Sequence, residues 1–284
     1  MNVIKDTFFE GERPCFAVHD TRFERVKIYP GEAVGESAMK HAHNIEAFQC
    51  EFFGKYPFWH NENLVIDHCL FPIAGRTAIW YSKNVKVLNT QVDAPKMFRE
   101  CDNIYVENVR FADAQETGWN CRDIELRNVD VKNGDYFFVN ARNVTVDNLT
   151  LEGNYSFQDA QNVVLRNSHL TSKDAFWGAE NVTVYDSVID GEFMGWHSKN
   201  LRLVNCTIRG TQALCYCQNL VMENCIMEGT DLCFEYSTVN ADIVSDIISV
   251  KNPTGGRIHA KAIGEIVIDA HCVNPGACDI TVSS

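Results

Sequence analysis

The stretch NVVLRNSHLTSKDAFWGAENVTVYD, residues 162–186, contains one copy of a sequence repeat and the start of the next. Its opening phrase, Asn162-Val163-Val164-Leu165, returns nineteen residues later as Asn181-Val182-Thr183-Val184. Further copies begin at Asn44, Asn63, Asn84, Asn103, Asp123, Asn143, Asn200 and Asn219. The steps between neighbouring anchors are 19, 21, 19, 20, 20, 19, 19, 19 and 19 residues. So even a period is typical of a repeat architecture.

Each repeat carries the alternation of a β-strand. Counting from the anchoring residue as position 0, positions +1 and +3 are apolar, as in Val85 and Val87, whereas +2 and +4 are polar or mixed, as in Lys86. This period of two predicts short strands with +1 and +3 facing inward. A second apolar pair follows at +6 and +8. A third cluster has a large apolar residue at −5 and a small residue at −2.

Three short strands in about 20 residues describe one coil of a solenoid, here called a rung. A single rung cannot bury its own apolar face, but rungs stacked at ~4.8 Å share one core. We therefore predict an all-β, single-stranded parallel β-helix with 19–21 residues per rung and ten or more rungs. It is expected to be right-handed, by the chirality of parallel crossovers. Position +5 is Asn or Asp in eight of ten repeats and predicts a structural asparagine ladder.

The repeat also sets the expected domain organisation. We predict one domain over residues 1–284, with regular rungs over 37–250. Residues 1–36 are expected to form an irregular first coil and an N-terminal cap, and residues 251–284 a C-terminal coil and cap. Within the C-terminal part, residues 239–250 and 263–268 read as strands, with a turn at 252–256.

Composition excludes several classes of partner. The 284 residues carry a formal net charge of -13, which argues against nucleic acid and an anionic membrane surface. No apolar run of membrane-spanning length occurs, and the N-terminus lacks the apolar run of a signal peptide, so a cytoplasmic location is expected. The 12 cysteines contain no CxxC pair and predict reduced core thiols, with Cys50/Cys69 and Cys206/Cys225 adjacent through stacking alone. No cofactor is expected.

All five tryptophans fall at position −4: Trp59, Trp80, Trp119, Trp177 and Trp196. Position −3 beside them is often polar or aromatic, as at His41, His60, Tyr81, Glu100, Asp159, His197 and Tyr216. Aromatic faces stack on sugar rings, and convergent polar groups supply orientation and acid–base capacity. We call columns −4 and −3 the Trp/His stripe and predict that it binds a carbohydrate or a similar small polar ligand.

Roles follow from residue chemistry. His41, His60 and Glu100 are predicted as acid or base, Tyr81 as a proton donor, and Arg76 or Arg99 as the holder of an anionic group. The other predicted ligand-binding residues are Trp59, Trp80, Trp119, Asp159, Trp177, Trp196, His197 and Tyr216. A metal site at His41, His60 and Glu100 lacks a ligand motif, so no metal is expected.

A second interpretation stays open at this point. Positions −4 and −3 can form a corner of the coil, where tryptophans stack for stability alone and polar residues face water. Two further hypotheses also stay open. The protein can be a non-catalytic module in which the stripe binds a glycan or protein partner, or a structural scaffold or homo-oligomer with the tryptophans at a subunit interface.

The stacked NVxVxN rungs resemble the pectin-lyase-like right-handed β-helix superfamily over about residues 37–250. That resemblance implies an exterior groove and, among its members, lyases, glycoside hydrolases, esterases and epimerases. The phrases at residues 35–38, 56–60, 78–82 and 248–253 are similar to an uncharacterised family of compact β-helix proteins. The Gly-His-Gly of polygalacturonase-like sites does not occur, so that activity is not implied. If the protein is an enzyme, an isomerase, lyase or epimerase is expected.

Overall fold

The computed structural model describes residues 1–31 and 36–283. The chain divides into two compact units, Met1–Val144 (unit 1) and Thr145–Ser284 (unit 2). Within the described residues the one helical element is a 3₁₀ turn at Ile73–Gly75, and the regular structure is otherwise β-strand.

Unit 1 is built from short strands that pair in parallel from rung to rung. Its strands are β1 (Asn2–Lys5), β2 (Phe8–Glu10), β3 (His19–Glu24), β4 (Lys27–Tyr29), β5 (His43–Phe48), β6 (Glu51–Phe52), β7 (Phe58–Trp59), β8 (Glu62–Asp67), β9 (Leu70–Phe71), β10 (Ile79–Trp80), β11 (Lys83–Leu88), β12 (Gln91–Val92), β13 (Phe98–Arg99), β14 (Asp102–Phe111) and β15 (Arg122–Val131). Equivalent positions pair across rungs, as in Val85 with Leu64 and with Ile104. A separate small parallel sheet consists of β7, β10 and β13.

Unit 2 repeats this construction. Its strands are β16 (Arg142–Glu152), whose first three residues belong to unit 1, β17 (Gln161–Arg166), β18 (His169–Thr171), β19 (Glu180–Tyr185), β20 (Val188–Asp190), β21 (Lys199–Val204), β22 (Thr207–Arg209), β23 (Leu220–Glu228), β24 (Thr238–Lys251), β25 (Gly255–Val267) and β26 (Cys278–Val282). Val182 pairs with Val163 and Leu201, as a 19-residue repeat requires.

These ladders confirm the parallel β-helix. The chain holds about 15 rungs roughly 19 residues apart. The predicted inward positions are buried, including Val85, Val87, Ile104 and Val106. Removing these side chains from water supplies the main stabilisation, about 1.5–3 kcal/mol for each fully buried aliphatic residue.

The cysteines belong to this core. Each of the twelve, all in the described part of the chain, is a free thiol, and ten of them are buried. Burial raises the pKa of Cys206 and of Cys233 to about 12, so both stay protonated at neutral pH. The prediction that the thiols are core residues is confirmed for these ten.

The chain ends are more regular than expected. β1 pairs with β3 and β3 with β5, so parallel rungs begin at residue 2. The step from His19 to its partner His43 is 24 residues, which hides these rungs from a search at period 19–21. Residues 32–35 of the predicted cap, and Gly35 of the resembling phrase, lie outside the described residues.

At the C-terminal end, the predicted strand at 239–250 is confirmed within β24. The turn predicted at 252–256 is too long, because β25 already begins at Gly255. Gly256 has φ +96°, and a Cβ there would clash with the carbonyl of Val239 on the neighbouring strand. This glycine therefore permits close backbone approach within the sheet and does not mark a turn.

Candidate functional site

Each rung turns at corners whose residues take the left-handed backbone conformation. Positive φ recurs at position 0, as in Asn63 (58°), at position +5, as in Asn89 (46°), and at position −3, as in His60 (57°) and Tyr81 (56°). Asparagine tolerates this conformation, whereas other side chains pay about 1–2 kcal/mol for it. Position −3 is thus a corner, as the second interpretation expected, and it directs large side chains outward.

The tryptophan column of unit 1 is a continuous stack. Trp59 and Trp80 lie 5.2 Å apart between ring centroids and 6° from parallel. The Arg99 guanidinium lies 4.4 Å from the centroid of Trp80 and 4.6 Å from that of Trp119. Lys40 Nζ lies 6.0 Å from Trp59. The rings of Trp59 and Trp80 thus face each other, and Arg99 occupies the next layer between two indoles.

The same tryptophans are tied to the backbone. The indole Nε1–H groups of Trp59, Trp80 and Trp119 donate to the carbonyl oxygens of Thr77, Lys96 and Tyr136 at 2.9–3.0 Å. All three rings are half-buried. A sugar approaching this column meets ring edges, because the facing surfaces of the stack are covered by one another.

Arg99 is also paired electrostatically. Its Nη2 and the Nζ of Lys96 both bind Oε2 of Glu116, at 3.1 and 2.9 Å. The role predicted for Arg99, holding an anionic group, would have to compete with this carboxylate. Arg76, the alternative, is exposed and follows the 3₁₀ turn.

Position −3 of unit 1 forms a second, exposed column. The rings of His41 and His60 are stacked at 5.0 Å, and those of His60 and Tyr81 at 4.9 Å. The predicted spacing of one rung is confirmed. Glu100, one rung further, accepts a 2.7 Å hydrogen bond from the amide of Asn120.

The imidazole of His60 is electrostatically distinct. Its pKa is lowered, first by desolvation and then by the nearby His41 and Lys40, since each disfavours a second positive charge. His60 is therefore neutral at neutral pH, the form that can accept a proton.

In unit 2 the structure brings together several of the predicted ligand-binding residues. Trp177 and Trp196 lie 5.4 Å apart, His197 and Tyr216 stack at 4.7 Å, and Trp177 contacts His197 at 5.3 Å. Asp159 lies on the same column, beside Gly178. A Cβ at Gly178 would clash with the Asp159 carboxylate, so glycine leaves room for that group.

A concave surface of unit 1 lies outside the Trp/His stripe. A groove of about 530 Å³ follows the exterior of the rungs along positions 0 and +2. Its lining residues are Met1, Asp20, Asn44, Ile45, Glu46, Asn63, Leu64, Val65, Asn84, Val85, Lys86, Asn103 and Tyr105. The position-0 asparagines were not among the predicted ligand-binding residues. The signal in the sequence that could have indicated the groove was the outward-facing +2 column, where charged, apolar and aromatic residues alternate.

An amide column forms part of this groove. Asn103 Nδ2 donates to Asn84, Asn84 to Asn63, and Asn63 to Asn44, each at 2.8 Å, and Asn44 donates to Asp20 at 2.7 Å. A carboxylate can only accept, so Asp20 fixes the direction of every amide in the column. Each amide uses one N–H in the column and retains a second.

The same polarity recurs along both units. Six amide runs begin on a carboxylate: Asn44 on Asp20, Asn89 on Asp67, Asn120 on Glu100, Asn143 on Asp123, Asn167 on Asp147 and Asn205 on Asp186. In each run the acid lies on the rung nearer the N-terminus. The predicted ladder at position +5 is confirmed, with parallel ladders at positions 0 and −3.

The fold and groove define a single-stranded parallel β-helix with an exterior sheet groove. The chain belongs to the family described as "Protein of unknown function (DUF3737)", which matches residues 2–281. This confirms the resemblance to an uncharacterised β-helix family. No curated protein matches the chain. Among the described residues, no helix has the length and apolar character needed to cross a bilayer.

Comparison with solved structures gives matches at low identity. One is PfbA, a surface adhesin of Streptococcus pneumoniae, at 11% identity and TM-score 0.49, covering 95% of this chain and 85% of that chain. Another is a tailspike protein mutant of E. coli bacteriophage HK620 in complex with a pentasaccharide, at 10% identity and TM-score 0.49, covering 99% and 72%. A second PfbA structure has 8% identity and TM-score 0.39, covering 99% and 91%.

Proposed function

We propose that this protein binds a carbohydrate or a similar small polar ligand along the groove of unit 1. One observation carries the proposal: the column from Asp20 to Asn103 lines the groove and repeats an amide at every rung from Asn44 onward. Each amide retains an N–H and oxygen lone pairs beyond those used in the column. Repeated donors and acceptors suit a ligand with repeated hydroxyl groups.

The rest of the lining supports an uncharged ligand. Val65 and Tyr105 add apolar and aromatic surface among the amides, the mixture that polar-ligand sites use. Glu46 is already paired with Arg22 at 2.8 Å, and Lys86 lies 5.3 Å from the Tyr105 ring. No single sign of charge therefore dominates the groove.

The exposed column at position −3 adjoins this surface. His60 precedes Asn63 by three residues, and Tyr81 precedes Asn84 by three, so each pair of Cα atoms is at most about 11 Å apart. The Trp/His stripe is thus proposed as the flank of the groove, with His41, His60 and Tyr81 within reach of a ligand that lies along the amides.

The test begins with a panel of neutral, acidic and amino sugars and short oligosaccharides, screened for a rise in melting temperature. Dissociation constants are then measured for the best ligand with wild type, Val65→Lys and Val164→Lys. Val65 and Val164 are both half-buried at position +2, but only Val65 lines the groove. We expect Val65→Lys to weaken binding at least tenfold and Val164→Lys to leave it unchanged. Equal affinities of Val65→Lys and Val164→Lys, or the absence of any ligand in the panel, would reject the groove as the binding site.

A second candidate function is acid–base catalysis on the bound ligand. It is favoured by the lowered pKa of His60, which supplies a neutral imidazole beside the groove. The bound ligand is incubated with the protein and followed by NMR for isomerised or cleaved products, with His60→Asn as the comparison. Asparagine suits the left-handed backbone at this corner, so the fold is retained. Turnover that persists in His60→Asn would show that His60 is not the catalytic base.

A further inference from the structure

Two histidines and an aspartate meet at one end of the groove, outside the Trp/His stripe. His19 and His43 are register partners in β3 and β5, and their rings are stacked at 5.1 Å and 9° from parallel. Asp20 Oδ2 lies 3.0 Å from His19 Nδ1. One ligand atom from each residue lies within 4.8 Å of the others, and among the described residues this is the one such cluster.

We propose that His19, Asp20 and His43 bind a divalent transition metal ion of the Zn²⁺ class. Two imidazole nitrogens and one carboxylate oxygen are a donor set that Zn²⁺ accepts, with bonds of about 2.0–2.2 Å. Neighbouring ligand atoms in such a tetrahedron are about 3.4 Å apart. The 3.0 Å pair already meets this spacing. The remaining separations, at most 4.8 Å, must close by up to about 1.4 Å, a movement open to exposed side chains.

The carboxylate is held ready by the amide column. Asp20 Oδ1 accepts the 2.7 Å hydrogen bond from Asn44, which leaves Oδ2 directed at His19. A ligand fixed by a hydrogen bond to its other oxygen is the usual outer arrangement of a metal site. Three protein ligands leave a coordination position open to water or to a polar ligand. Since Asp20 also lines the groove, the ion would lie at the groove's end.

The sequence did not indicate this site. His19 and His43 are separated by 24 residues, outside the 19–21 period, so their column became visible only when β3 and β5 were seen to pair. From the motif spacing we expected no metal, and this proposal replaces that expectation.

The chain supplies a matched control. His68 Nδ1 lies 2.7 Å from Asp67 Oδ1, and Asp67 accepts an amide from Asn89 at 2.9 Å, so the histidine–aspartate–asparagine arrangement recurs. The ring beside His68 is Phe48, at 5.6 Å, which cannot ligate a metal. This copy lacks the second imidazole, and both of its hydrogen bonds end on the same oxygen, Asp67 Oδ1.

The experiment uses untagged full-length protein freed of metal with a chelator. Calorimetric titration with ZnCl₂ should give one site per chain, and CoCl₂ should give the visible absorption of an ordered low-coordinate site. We expect His43→Gln to lose at least tenfold in Zn²⁺ affinity and to lose the cobalt spectrum, and His68→Gln to match wild type. Metal-free melting temperatures verify that both variants fold. Unchanged affinity in His43→Gln, equal loss in His68→Gln, or no binding at 1 mM ZnCl₂ would overturn the proposal, and none of these depends on a sugar ligand.

Discussion

The amide of Asn205 donates a 2.9 Å hydrogen bond to the carboxylate of Asp186 on the preceding rung. The oxygen of Asn205 in turn accepts from Asn224 at 2.9 Å. Because the acid can only accept, it orients both amides, and the interior of the run requires a group that donates and accepts. Asparagine meets that requirement, whereas aspartate fits only the first position.

This relationship predicts an asymmetry between two similar substitutions. Asn205→Asp removes the donor and places two carboxylates on adjacent rungs, and we expect a loss of about 1–2 kcal/mol in the free energy of unfolding at neutral pH. Asp186→Asn keeps an acceptor at the first position and should change stability by less than about 0.5 kcal/mol. Urea unfolding measures both. The double substitution should recover part of the loss, and equal single effects would contradict a directional ladder.

Gly118 should tolerate no side chain. It has φ +90°, and an added Cβ would lie 2.5 Å from the buried ring of Phe138. We expect Gly118→Ala to cost about 2–4 kcal/mol, the combined effect of backbone strain and overpacking. Gly229, with φ +64° and open space around its Cα, is the control and should cost about 1 kcal/mol on substitution by Ala. Thermal unfolding of the two variants would contradict the packing argument if their losses were equal.

The tryptophan stack predicts a graded series at Trp80. Trp80→Phe retains an aromatic ring between Trp59 and Arg99 but loses the hydrogen bond to the Lys96 carbonyl, a cost of about 1 kcal/mol. Trp80→Ala removes the ring as well and should cost about 3 kcal/mol or more. Denaturant unfolding checks the order of the two stability losses, provided that the dependence of the unfolding free energy on denaturant concentration is the same in both variants. A Trp80→Ala variant as stable as wild type would mean that the stack does not support the fold.

His60 predicts a pH dependence of stability. Its folded pKa lies below the unfolded value of about 6.5. The unfolded chain therefore binds more protons, so stability falls as pH drops through about 6.5 and levels off below the folded pKa. The groups facing His60 are His41, Lys40 and Tyr81. Unfolding followed between pH 7.5 and 5 should show a shallower decline in His60→Asn, and an unchanged slope would exclude His60 as a contributor.

The fold could be predicted well from the sequence because every rung of a solenoid carries the same residue pattern. The inward pair Val85 and Val87 and the asparagines at +5 recur with one period, and a period is readable without coordinates. The stacking of His41, His60 and Tyr81 followed from the same register.

The groove was harder to predict, because concavity depends on how far neighbouring side chains project. Asn63 and Val65 look alike in sequence to Asn162 and Val164, yet only the first pair lines the groove. For a related reason, the sequence could not show whether the faces of the tryptophan rings are open to a ligand. Position −4 shows that Trp59 and Trp80 are neighbours, but their distance and tilt decide whether a ligand can enter between them.

The central claim is that a polar ligand lies along the amide column of unit 1, and a crystal structure with the tightest sugar from the panel tests it most directly. We predict ligand density beside Asn44, Asn63 and Asn84, in contact with Val65 or Tyr105, with Trp59 and Trp80 still stacked. Density inserted between those two tryptophans, or seated on Trp177 and Trp196 with the groove empty, would contradict it.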